Sequence, residues 1–74
     1  MAFDYSKLKG RIVEKFDTQQ AFSKAIGLSE KSVSDKLNGK KSWKQKEIMK
    51  AINVLQIADG EVQDYFFKEK VQNF

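Results

Sequence analysis

Apolar residues return at helical intervals from the beginning of the chain. Tyr5, Leu8, Ile12, Val13 and Phe16 recur mostly at three- and four-residue steps and predict a first helix over about 5–16, with Asp4 placed to cap it. Gly10 falls inside that helix at a cost of roughly 1 kcal/mol against alanine, which a close helix–helix contact would explain. Ala21, Phe22, Ala25 and Ile26 repeat the spacing and predict a second helix over about 18–26, with Thr18 as its N-cap. Gly27 suits the left-handed turn that ends a helix. Ser29 then caps a third helix, over about 29–38, which buries Val33 and Leu37 and stops at Gly39.

Beyond the loop at 40–42, Ile48, Ala51, Ile52 and Leu55 form the apolar face of a fourth helix. Its start has two readings. Ser42 is the better cap chemically, whereas Lys44 has Glu47 three residues on, the spacing of a capping box without the usual first residue. Trp43 reads as an apolar anchor beside that start. Ile57 leads into Asp59-Gly60-Glu61, an acidic opening suited to the positive end of a helix dipole, and Val62, Tyr65, Phe66 and Lys70 continue it as a short fifth helix. No apolar–polar alternation persists as a strand would need. The expected fold is all-α, five helices in a single domain over residues 1–74.

Composition narrows the chemistry. A chain of 74 residues is near the size at which one core barely suffices. It has neither cysteine nor histidine, which excludes disulfides and thiolate or imidazole metal sites and removes the usual nucleophiles and general bases. No carboxylates or lysines pair convincingly for catalysis, so no enzyme, metal or cofactor is expected. No apolar run approaches the about 20 residues of a membrane helix, and residues 1–7 lack the pattern of a signal peptide, so a cytoplasmic location without a membrane partner is expected.

The net charge of +4 is unevenly spread. Residues 24–50 carry eight lysines against Glu30, Asp35 and Glu47, whereas residues 51–74 carry Lys68 and Lys70 against Asp59, Glu61, Asp64 and Glu69. The positive excess sits on the third helix and the segment after it, which points to a polyanionic partner.

Specific residues extend this picture. Thr18-Gln19-Gln20 opens the second helix, Gly27-Leu28-Ser29 makes the turn, and Leu37-Asn38-Gly39-Lys40 ends the third. With the order of helices over about residues 5–67, these resemble the helix-turn-helix, here about 18–38, of the phage repressor and Cro family. Trp43, Glu47-Ile48 and Tyr65-Phe66-Phe67 are similar to features of short Cro-like regulators of phages and prophages in Gram-positive bacteria. The resemblance implies a repressor-like domain that binds operator DNA and regulates transcription, with the third helix in the major groove.

Carried over by position, Glu30, Lys31, Ser34 and Asp35 are the implied base readers, and Ser32 reaches either a base or a phosphate. Lys31 can donate to guanine, and Glu30 or Asp35 can accept from cytosine. Glu30 stands where many relatives have glutamine, so their base preference does not transfer. Implied phosphate contacts are Thr18, Gln19, Gln20, Ser29, Asn38, Lys40, Lys41 and Lys44, with Lys36 pointing sideways along the helix. Phe22, Ala25, Ile26, Leu28, Val33, Leu37, Ile48, Ile52 and Leu55 are assigned to the core. Tyr65, Phe66, Phe67, Val71 and Phe74 offer either a homodimer surface or a cover for the monomer's own core. A second class of function stays open: a modulator or antirepressor that binds another repressor protein through this same fold.

Overall fold

The computed structural model describes residues 3–69, and over these the chain is all-α. Five α-helices follow in order: α1 (Ser6–Phe16), α2 (Gln19–Ile26), α3 (Glu30–Leu37), α4 (Gln45–Leu55) and α5 (Val62–Phe66), the last preceded by a 3-10 turn over Asp59–Glu61. Among the described residues the sole β pairing is a single antiparallel bridge between Phe3 and Glu69, where the Asp4 N–H donates to the Lys68 carbonyl at 2.7 Å.

The helix ends follow the cap chemistry. The Thr18 hydroxyl accepts from the Ala21 N–H at 3.1 Å, and the Ser29 hydroxyl from the Ser32 N–H at 3.1 Å. Each cap satisfies one of the backbone donors that a helix leaves free at its start. Gly27 and Gly39 take the left-handed conformation at φ 74° and 78°, closing α2 and the turn after α3. At α1 the N-cap position is Tyr5 and not the expected Asp4, whose carboxylate, one residue earlier, accepts from the Ser6 N–H at 2.9 Å. For α4 the open question resolves in favour of Lys44 as the cap position: its N–H donates to the Glu47 carboxylate at 2.8 Å. A lysine side chain has no acceptor to complete the reciprocal bond of a capping box, so only the returning half forms.

One core joins all five helices. Leu8 and Ile12 of α1, Phe22 and Ile26 of α2, Val33 and Leu37 of α3, Ala51 and Leu55 of α4, and Tyr65 and Phe66 of α5 are buried together with Tyr5 and Ile57. Trp43, half-buried, fits its anchor role with its ring edge-on to those of Phe66 at 5.4 Å and Tyr5 at 6.5 Å. The chain's single arginine locks α1 to the end of α4: Arg11 donates to the Leu55 and Gln56 carbonyls at 3.0 and 3.2 Å, where an α-helix leaves its acceptors unpaired.

Several expectations need correction. Val13 is 58% exposed, because it lies one residue, about 100°, around the helix from the buried Leu8–Ile12 line. Ala25 is exposed for the same reason: the buried face of α2 is centred on Phe22, Ser23 and Ile26. Nothing lies within 4 Å of where a Gly10 side chain would project, so no close helix contact explains that glycine. The fifth helix ends at Phe66, short of the expected extension, and Lys70 lies outside the described residues. Tyr65 and Phe66 close the monomer's own core, which removes them from a dimer surface. Phe67 remains 45% exposed and meets Phe3 edge-on at 6.0 Å, while Val71 and Phe74 lie outside the described residues.

Candidate functional site

The short capped helix α2 packs against α3, which lies at the surface with Val33, Lys36 and Leu37 turned inward. Its outward side presents Glu30 and Lys31, both exposed, with Ser32, Ser34 and Asp35 half-buried between them. The expected base readers therefore share one helix face. Most of them, however, already have partners in the chain. The Ser29 hydroxyl donates to that of Ser32 at 3.0 Å, and the Asn38 amide donates to the Ser34 hydroxyl at 3.3 Å. The Asp35 carboxylate lies 3.9 Å from the Lys41 ammonium, and its backbone carbonyl accepts from the Lys40 and Lys41 N–H groups at 2.8 and 3.3 Å.

The expected phosphate contacts fall into two groups. Thr18, Gln19 and Gln20 stand together at the start of α2, with Thr18 and Gln20 exposed and Gln19 half-buried. Asn38, Lys40, Lys41 and Lys44 are exposed on the segment leaving α3, and Ser29 is exposed at its start. Asn38 also accepts from the Lys9 ammonium at 3.5 Å.

Lys36 is the clearest departure. Far from lying along the surface, its side chain is 7% exposed and its ammonium lies 2.8 Å from the Glu47 carboxylate, itself 13% exposed. The same ammonium donates to the Ser42 carbonyl at 3.1 Å and lies 6.0 Å from the centre of the Trp43 ring. Burial pushes the Glu47 carboxyl up. Hydrogen bonds from Lys36 and the Lys44 N–H, with the charges of Lys36 and Lys44, more than offset this and hold it below its ordinary value. This pair fixes the loop between α3 and α4. Its signal was present in the sequence: Lys36 falls three residues after Val33 and next to Leu37, on the buried face of α3.

The internal pairing changes the charge picture. Lys36 is neutralised by Glu47, Lys41 is paired with Asp35, and the exposed end of α3 sets Glu30 beside Lys31. Lys31, Lys40, Lys46 and Lys50 have no ion-pair partner within 4.0 Å among the described residues. Lys46 and Lys50, with Lys44, edge a groove of about 360 Å³ between the α2–α3 turn and the first half of α4. No cluster of acidic residues that could hold a metal occurs among the described residues, and no described helix is long and apolar enough to cross a membrane.

Comparison with known proteins gives a solved structure and a family similar to the chain. The solution structure of the modulator of repression (MOR) of the temperate bacteriophage TP901-1 from Lactococcus lactis is similar to the chain at 50% sequence identity and a TM-score of 0.78, over 97% of each chain. Among curated proteins none matches. Residues 1–69 match the family described as "Protein of unknown function (DUF739)", and with that match over nearly the whole of the chain, it belongs to this family.

Proposed function

We propose that the chain is a modulator of repression that works by binding a phage-type repressor protein, using a helix-turn-helix scaffold for protein contact in place of sequence-specific operator recognition. The observation that carries this reading is the 50% identity to a phage modulator of repression, extending over 97% of both chains. The surface agrees with it. A base-reading helix gains from donors and cations free to meet a polyanion. Here the outward side of α3 sets Glu30 and Asp35 beside Lys31, its one free cation among the described residues, and its serines bond within the chain. Action by stoichiometric binding needs no cofactor and no covalent chemistry, and it would take place in the cytoplasm of the host cell.

Direct DNA binding has one specific observation in its favour, the unpaired lysines Lys31, Lys40, Lys46 and Lys50 beside a helix-turn-helix. Such charges supply salt-sensitive affinity without sequence preference. The deciding experiment titrates the purified chain with the repressor from the same phage or prophage, by calorimetry, and separately with operator and scrambled duplexes across salt concentrations. A saturable complex with the repressor, together with DNA binding that is weak, indifferent to sequence and lost as salt rises, is the expected result. Absence of that complex, with a preference for operator over scrambled duplex, overturns the proposal and restores the DNA-reading role.

A further inference from the structure

The groove between the α2–α3 turn and α4 is the part of the surface least satisfied by its own chain. Ile26, Gly27 and Leu28 form one side, and α4 contributes Lys44, Lys46 and Lys50 along the other. Ile26 is buried in the core and Gly27 adds no side chain, so the accessible apolar surface of this wall is the half-buried Leu28. The acid within this stretch, Glu47, is committed inward to Lys36 and to the Lys44 N–H. Lys44 is partly offset by Glu47, and Lys46 and Lys50 have no ion-pair partner among the described residues where Leu28 is accessible.

We propose that this groove is the docking site for an acidic amphipathic helix of the repressor, seated with its apolar face over Leu28 and its carboxylates along Lys44, Lys46 and Lys50. This rests on the reading of the chain as a repressor-binding modulator. Charge complementarity selects an acidic occupant, and the apolar wall selects a protein one. A helix laid in a groove uses both features, with alternate side chains as anchors and its flanks as ion pairs. A duplex backbone would use the lysines but would gain nothing from covering Leu28, since phosphate brings no apolar surface to bury. The outward side of α3 balances Glu30 and Asp35 against Lys31 and Lys41, and so attracts such an occupant less than the α4 side does.

The test compares Lys46→Glu/Lys50→Glu with Lys31→Glu, each titrated with the purified repressor by calorimetry after thermal unfolding has shown both variants to fold. Neither Lys46 nor Lys50 forms an ion pair among the described residues, so their replacement breaks none there. The groove variant is expected to bind at least about tenfold more weakly, a change of about 1.4 kcal/mol, and Lys31→Glu within about twofold of the unaltered chain. In amide NMR spectra of the unaltered chain, added repressor is expected to shift Gly27, Leu28 and Lys46 more than Lys31 and Ser34. If the unaltered chain binds the repressor but the groove variant binds equally well, or the shifts centre on α3, the groove assignment is overturned and the modulator reading stands. If the unaltered chain fails to bind the repressor at all, the modulator reading itself falls. A groove variant that instead loses sequence-independent duplex binding while keeping its repressor affinity assigns the lysines to DNA and overturns the proposal.

Discussion

The junction of α3 with the loop after it and the edge of α4 both carry lysines, yet they differ in how far the chain has already used them. Lys31 and Lys40, near that junction, do stay without an ion-pair partner among the described residues. Around α3, Lys36 is sealed against Glu47 at 2.8 Å, Lys41 is drawn to Asp35 at 3.9 Å, and Ser32 and Ser34 bond to Ser29 and Asn38. Along α4, Lys46 and Lys50 have no ion-pair partner among the described residues and line a groove with the half-buried Leu28. A cation close to an internal carboxylate contributes to the fold and little to the external field. One without such a partner is available to another molecule. Counting lysines along the chain treats the two regions alike, and only pairing separates them.

The largest expected effect tests the sealed side. Lys36→Met removes the cation and leaves Glu47 nearly buried without its partner, which should cost about 3 kcal/mol in urea unfolding. Lys36→Met/Glu47→Leu should recover much of that loss, because no uncompensated charge is then buried. Acid titration gives an independent check. The Glu47 carboxyl is held below its ordinary value in the fold, so it adds stability above the unfolded glutamate range, near about pH 4.3, and that contribution is lost as pH falls through the folded value. The stability difference between the unaltered chain and Glu47→Gln should therefore be widest at neutral pH and shrink on acidification. A difference independent of pH would mean that the pair is not ionised in the fold.

A smaller effect is expected at the start of α3. Ser29→Ala should cost about 1 kcal/mol in the same unfolding measurement, since the Ser32 N–H loses its acceptor. Ser29→Asp should largely restore stability, because a carboxylate caps a helix as well as a hydroxyl does. If Ser29→Ala leaves stability unchanged, the bonds at Ser29 and Ser32 hold nothing in place, and those hydroxyls return to the set available for contact with a partner.

How much of this the sequence makes legible depends on the range of the interaction. The helices, the caps at Thr18 and Ser29 and the left-handed Gly27 are local, set by residues within four positions of each other, and they read directly from spacing. The finer burial pattern is less visible. Val13 and Ala25 are apolar residues at plausible helical steps, and only the direction of the neighbouring helices decides that they face outward. Residues 65–66 illustrate the same limit: an aromatic pair near the end of a chain suits a dimer surface or a core lid equally, until Trp43 and Tyr5 are found around it. The groove is harder still, since it joins a turn at 26–28 to a helix at 44–50, and no local pattern brings these together.

The smallest expected effect is also the one that best separates the two regions. Lys41 is 57% exposed and its approach to Asp35 is long, so Lys41→Ala should change stability by less than about 0.5 kcal/mol. Its effect on binding depends on what the surface meets. If a duplex backbone is the partner, Lys41 neutralises a phosphate, and its loss should reduce the salt slope of duplex binding by about one while weakening all sequences alike. If a repressor helix in the α4 groove is the partner, Lys41 lies outside the contact and its loss should leave repressor affinity within about twofold, against the tenfold expected for the α4 reversal. Equal losses of repressor affinity at Lys41 and at Lys46 and Lys50 would mean that the lysines act as one diffuse field. The pairing of Asp35 with Lys41 would then have no functional consequence, because a carboxylate that merely approaches an exposed ammonium leaves most of its charge open to the solvent and to any acidic partner.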